Sequence, residues 1–157
     1  MYKRQDKWLG EKKWDVIHFN WGLHDLCYRH PESKVQGRRD KEKGTVTHSV
    51  EEYAANLEKL VVRLEKTGAH LIFATTTPVP EGEAGRKIGD DVRYNKAALE
   101  VMKKHQVEVN DLHALMADKM ADYAVKPGDV HFKPEGSKLL ADKVAGVIKK
   151  ALSKVSK

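Results

Sequence analysis

Trp14-Asp15-Val16-Ile17-His18-Phe19-Asn20, running directly into Trp21-Gly22-Leu23-His24-Asp25, decides the fold class. The first half is short, mostly apolar and rich in β-branched and aromatic side chains, and a glycine closes it off. That combination reads as a buried strand, since a helix of the same apolar content would run longer. The second half is polar and begins where the strand ends. Ala69-His70-Leu71-Ile72-Phe73-Ala74-Thr75 repeats the pattern, and Val107-Glu108-Val109-Asn110 repeats it more weakly.

Helical patterns separate these strands. Ser49-Val50-Glu51-Glu52 has the spacing of a capping box, in which Ser49 accepts from the backbone and Glu52 reaches back. Behind it Tyr53, Leu57, Leu60, Val61 and Leu64 recur at three- and four-residue steps, the stripe of an amphipathic helix, and Gly68 stands where a terminating glycine belongs. Asp90 or Asp91 caps a second helix through Tyr94, Ala97, Ala98, Val101 and Met102. Residues 112–124 are helical in pattern, and Pro134 opens a last helix that runs to Leu152. Residues 36–47 are charged, glycine-punctuated and aperiodic, and read as a long surface loop; residues 76–89, with two prolines and three glycines, read as another. Strands alternating with helices imply right-handed crossovers and a parallel sheet covered on both faces. The fold class is α/β, three layers, in one domain over residues 14–152.

Composition narrows the function. The 157 residues are one domain's worth, 33% charged and 40% apolar, and no apolar run approaches the roughly 18 residues of a membrane span. The opening, Met1 to Lys13, is basic and polar without the apolar core of a secretory signal. The net charge of +6 comes from 29 basic and 23 acidic residues spread along the chain rather than gathered in a stripe with aromatics between them. Neither nucleic acid nor membrane is an expected partner. The single cysteine, Cys27, excludes an internal disulfide, reads as a half-buried thiol, and is too solitary for a structural zinc site.

In parallel α/β sheets ligands bind beyond the carboxyl ends of the strands. Those ends carry Asn20 to Asp25, then Thr75-Thr76-Thr77-Pro78, then Asn110-Asp111, and the loop Gly128-Asp129-Val130-His131-Phe132 can reach the same rim. Any such sheet ends its strands in polar loops, and a lone histidine is more often a surface or hydrogen-bonded residue than a catalyst. His18 reads as a packed or partnered core histidine; His30, His48, His70, His105 and His113 carry no usable pattern.

The set of blocks, in order, resembles the SGNH (GDSL-like) hydrolases. Gly22-Leu23-His24-Asp25 after a buried strand is similar to the family's Gly-x-Asn-Asp block. Asp129-Val130-His131-Phe132 before Pro134-Glu135-Gly136 and a helix is similar to the block with its Asp and His. Thr77-Pro78-Val79-Pro80 and Tyr94-Asn95 also stand where such enzymes have similar residues. The resemblance implies the flavodoxin-like SGNH fold and hydrolysis of carboxylic esters of small acyl groups, with acetyl esters of carbohydrates as one class. It implies no cofactor and no metal. His131 would be the general base, since imidazole titrates in the needed range, and a carboxylate on its other nitrogen would fix the tautomer. Gly22, His24 in place of the family's Asn, and Asn20 would form the oxyanion hole; Thr75, Thr76, Thr77, Tyr94 and Asn95 would line the substrate cleft.

Three departures from the family pattern are visible. His24 replaces Asn. The family's Asp stands three before the His, where this chain has Gly128; Asp129, two before, is the nearest carboxylate, and a histidine working without it is the alternative. No Gly-Asp-Ser occurs, and the serines (Ser33, Ser49, Ser137, Ser153, Ser156) fall in loops or helices. The expectation is therefore a domain lacking the N-terminal strands that carry the serine, and inactive as written. A noncatalytic ligand- or carbohydrate-binding relative is the second reading. A metal-dependent phosphoesterase is the third, disfavoured because no His pair has ligand spacing. Substrate identity, oligomeric state and compartment stay open, and secretion or export to a periplasm would suit a longer chain.

Overall fold

The computed structural model describes residues 7–155, so Ser156 and the first residues of the basic opening lie outside it. The elements are β1 (Val16–Phe19), β2 (Tyr28–Arg29), β3 (Thr45–Val46), α1 (Val50–Glu65), β4 (His70–Ala74), α2 (Asp90–Lys104), β5 (Glu108–Asn110), α3 (Leu112–Met116), α4 (Met120–Tyr123) and α5 (Pro134–Val155). β1, β4 and β5 form one sheet in the order β1-β4-β5, and both pairings are parallel, with Val16 opposite His70 and Ile72 opposite Glu108. The three expected strands are thus adjacent and parallel, flanked by helices.

The pleat sorts the side chains. Alternate residues of a strand face opposite sides. Phe19, Leu71 and Phe73 enter one core with Tyr53, Leu57, Val61 and Leu64 of α1 and Tyr94, Ala98, Val101 and Met102 of α2. The Tyr53 and Tyr94 rings meet at 5.2 Å between α1 and α2. Ile72, fully buried, falls outside that cluster and belongs to the opposite face, as does His18, its partner in register. His18 is half-buried, burial lowers its pKa, and its neutral Nε2 accepts from the Asn110 amide at 3.1 Å.

Local signals fix the helix ends. Ser49 Oγ accepts from the Glu52 N–H while Glu52 Oε2 accepts from the Ser49 N–H at 2.8 Å, a complete capping box. The α1 helix ends at Glu65, and Gly68 follows in the left-handed region at φ 71°. Gly89 at φ 86°, and not Asp90 or Asp91, is the N-cap of α2; both aspartates are buried in its first turn instead. Residues 112–124 break into α3 and α4, with Asp111 capping α3 through the Ala114 N–H at 3.0 Å.

The largest difference from the sequence reading lies before α1. Tyr28–Arg29 pair antiparallel with Thr45–Val46, and a 3-10 turn covers Gln36–Arg38, so residues 36–47 are a folded excursion rather than a free loop. Two-residue strands carry too little periodicity to be seen in sequence. Cys27, expected half-buried, is fully buried beneath this excursion.

At the exits of β1 and β4 the Gly22 backbone lies against the Thr76 side chain. Gly22 has φ 146°, and a Cβ there would lie 2.3 Å from Thr76 Oγ1. Two outcomes follow. Ser49→Ala loses the cap and lowers the unfolding free energy by about 1 kcal/mol in urea titration, with the slope unchanged. Gly22→Ala costs about 2 kcal/mol by overpacking, and Thr76→Ala in the same chain recovers part of it; strict additivity of the two would refute the close approach.

Candidate active site

Asp129 and His131 form the one dyad expected from the sequence, and the loop geometry builds it locally. Asp129 Oδ1 accepts from the His131 backbone N–H at 3.0 Å and lies 2.6 Å from His131 Nδ1. The carboxylate is therefore held by its own turn, two residues from the ring it orients. The backbone N–H and then the ring of His131 hold the Asp129 carboxyl below the usual carboxylate range, against the opposing effect of desolvation. The His131 side chain is 77% exposed and that of Asp129 19%. Nδ1 is occupied, and among the described residues Nε2 has no protein partner.

Gly22, Leu23 and His24 surround a second feature, an open cavity of about 400 Å³ bordered also by Asn20 and Trp21. Tyr53 hydroxyl donates to the Trp21 carbonyl at 2.8 Å, and Leu26 N–H donates to the Gly22 carbonyl at 3.0 Å, closing the turn. His24 is exposed. Asn20 turns its amide onto the Ala74 carbonyl at 2.7 Å, tying the exits of β1 and β4 together.

The residues expected along a cleft are mostly scaffold. Thr75, Thr76, Tyr94 and Asn95 are all buried, and Thr77 is half-buried. Asn95 closes a ring of two 2.8 Å bonds with the backbone N–H and carbonyl of Thr76. Thr75 hydroxyl donates to Asp111 at 2.8 Å and accepts from the His113 N–H. Tyr94 donates to the His48 carbonyl, its hydroxyl pKa pushed up to about 12 by burial and then by Asp90. These polar groups are needed because the strand ends are buried, and a buried N–H or C=O must find a partner.

What joins the two parts of the site is the loop that leaves β4. Gly128, at φ 74°, sits so close to Gly82 that a Cβ would lie 2.8 Å from the Gly82 carbonyl oxygen. Four residues on, Arg86 Nε donates to the Leu23 carbonyl at 2.8 Å. Between them Glu83, fully buried, accepts from Arg86 Nη1 and Arg39 Nη1, each at 2.9 Å, and from the Gly85 N–H at 2.6 Å. The loop thus touches Gly128, beside the Asp129–His131 turn, at one end and the Gly22–His24 turn at the other.

Sequence reasoning missed this cluster, and it missed a second dyad. Asp25, buried, lies 2.9 Å from His48 Nδ1 beside a cavity of about 230 Å³ lined in part by Trp21, Tyr53 and Asn56. The Glu83-x-x-Arg86 spacing was the available signal; nothing in it distinguished a buried pair from a solvated one. Among the described residues no group of three or more His, Cys, Asp or Glu is arranged to hold a metal ion, and no helix is long and apolar enough to cross a membrane.

Several solved structures share this arrangement of elements. A lipase/acylhydrolase from Enterococcus faecalis superposes with a TM-score of 0.68 at 22% identity, over 95% of this chain and 68% of that one. An acetyl xylan esterase, AlAXEase, superposes with a TM-score of 0.71 at 18% identity, over 94% of this chain and 73% of that one. An Axe2 mutant, an acetyl-xylooligosaccharide esterase from Geobacillus Stearmophilus, gives 0.63 at 16% identity, over 91% of this chain and 64% of that one. These likenesses show the fold. No curated protein matches the chain. The sequence itself carries the family: its model matches residues 1–139, a span that contains the Gly22–Asp25 turn, the Glu83–Arg86 loop and the Asp129–His131 dyad, and the chain belongs to the GDSL-like lipase/acylhydrolase family.

Proposed function

We propose that this domain serves the hydrolysis of esters of small acyl groups, with His131 as general base, Asp129 as its orienting carboxylate, and the Gly22–His24 turn as the oxyanion side. The observation that carries the reading is the 2.6 Å contact between Asp129 and His131 Nδ1. It fixes the proton on Nδ1, leaves Nε2 to take a proton from a nucleophile, and stabilises the imidazolium that results. Acetyl esters of carbohydrates are the substrate class favoured, because two of the similar structures are named for acetylated xylan and xylooligosaccharides.

The nucleophile in this reading is the serine of a Gly-Asp-Ser strand that the 157 residues do not contain. The described serines are committed elsewhere. Ser49 caps α1, while Ser33, Ser137 and Ser153 donate to the carbonyls of Arg39, Phe132 and Lys150. Without a nucleophile the remaining groups position a substrate but offer no covalent route. The missing block also gives a second reading its support: a relative that binds an ester or carbohydrate without cleaving it.

The test uses p-nitrophenyl acetate. The 157-residue chain turns it over at background, and the same chain extended by a Gly-Asp-Ser strand hydrolyses it. In the extended chain His131→Ala lowers kcat on the order of 10⁴- to 10⁶-fold. If the extension yields no hydrolysis but acetylated xylooligosaccharides still bind, the binding reading replaces the esterase. Turnover by the unextended chain that vanishes on His131→Ala would mean that another residue is the nucleophile.

The pH profile supplies an independent check. Asp129 is held ionised below the ordinary carboxylate range, so it keeps its charge throughout the acid limb of the profile. In the extended chain the acid limb of kcat/KM therefore carries no Asp129 ionisation and has the slope of a single group. Asp129→Asn lowers kcat on the order of 10²- to 10⁴-fold, since the amide no longer fixes the tautomer. A limb with a two-proton slope would show that a second group, and not this dyad alone, governs the base.

A further inference from the structure

The segment Gly22–His24 offers an anion more than the His24 ring. Among the described residues the backbone N–H groups of Gly22, Leu23 and His24 donate to no protein acceptor. The Leu23 carbonyl, by contrast, is committed: it accepts from Arg86 Nε at 2.8 Å. Leu23 C=O and His24 N–H belong to one peptide plane, and no cis peptide occurs among the described residues. In a trans peptide the two point in opposite directions. The bond that draws the Leu23 oxygen onto buried Arg86 therefore turns the His24 N–H away from the cluster, in a turn that borders the 400 Å³ cavity.

Arg86 can do this because it is itself immobilised. It is 4% exposed, and its Nη1 is bonded to Glu83, which is 0% exposed. Glu83 is fixed in turn by Arg39 and by the Gly85 N–H. The loop backbone is stitched to the excursion before α1 as well, since Tyr28 N–H donates to the Gly85 carbonyl at 2.7 Å and Lys41 N–H to the Ala84 carbonyl at 3.0 Å. A guanidinium offers donors on a rigid fork, so one arm on Glu83 aims another at Leu23; an ammonium has no such fork.

We propose that Arg86 is a positioning residue whose bond to the Leu23 carbonyl orients the His24 peptide N–H, and that this N–H, rather than the His24 ring, is the donor for the oxyanion of the tetrahedral intermediate. The proposal rests on the esterase reading for what the N–H binds, but the orientation it describes is measurable without turnover. It also accounts for a histidine standing where the family has Asn, since a backbone donor does not depend on the side chain.

Two arms test it. In the unextended chain, Arg86→Lys keeps a cation beside Glu83 but gives up the aimed bond to Leu23. The Leu26 amide, which closes the turn on Gly22, then exchanges with solvent at least tenfold faster relative to the slowest core amides, and the His24 amide resonance moves. Arg39→Gln removes the other partner of Glu83 and leaves the Leu23 bond, so it lowers global stability without selective change at Leu26. In the extended, serine-bearing chain, Arg86→Lys lowers kcat about 10- to 100-fold with KM within twofold, because an oxyanion donor acts on the transition state. His24→Ala in that chain lowers kcat by a smaller factor than Arg86→Lys does.

Unchanged Leu26 exchange and His24 resonance in Arg86→Lys would overturn the positioning role. A loss of kcat on His24→Ala as large as that of Arg86→Lys would return the oxyanion role to the ring. Failure of the esterase reading itself appears separately, as an extended chain without turnover, and leaves the exchange experiment to decide the orientation.

Discussion

A carboxylate with no access to water organises this molecule's functional rim. Glu83 is fully buried, and a charge in that position is tolerable only if its oxygens are satisfied by cations and N–H groups. It obtains two guanidiniums and a backbone amide from two places: Arg39 from the excursion before α1, Arg86 and Gly85 from the loop after β4. Pairs of this kind return little net stability against an apolar replacement of similar size. Their return here is geometric. The loop can take only the conformation that brings three donors to one carboxylate, and that conformation presses Gly82 on Gly128 and Arg86 on Leu23.

The sheet supplies the other half of the constraint. Parallel strands put all their carboxyl ends on one rim, so β1 and β4 deliver Asn20–Asp25 and Thr75–Thr77 side by side. Their exits are so close that only glycine fits at position 22 opposite Thr76. Asn20, Thr76 and Asn95 spend their hydrogen bonds on holding these exits together. A site assembled from loops is precise only when its supporting shell is locked, and these residues are the shell of the site proposed above.

How much of this could be read in the sequence depended on range. The capping box at Ser49, the apolar stripe of α1 and the buried runs at β1 and β4 were legible because each is a local pattern of a few residues. The Asp129–His131 contact was legible for the same reason, two residues apart in one turn. The Tyr28–Val46 ribbon, Glu83 with Arg39, and Asp25 with His48 join residues 18 to 44 apart, and a polar side chain looks the same in sequence whether it is buried or solvated. Thr75, Thr76, Tyr94 and Asn95 illustrate the converse: they stand at strand ends and a helix start as the pattern predicts, but they are buried, and burial is not carried by a local pattern. Gly89 capping α2 in place of an aspartate has the same origin, since Asp90 and Asp91 are drawn inward.

The sheet's outer strand has a practical meaning of its own. Among the described residues β1 hydrogen-bonds to β4 on one side only, and beside it runs an apolar groove of about 500 Å³ bordered by Trp8, Trp14, Ile17 and Leu64. Trp8 and Trp14 are 63% and 38% exposed. An unpaired strand edge next to exposed indoles is a template for intermolecular pairing. Contact between copies of this chain would begin at that edge rather than at its charged faces.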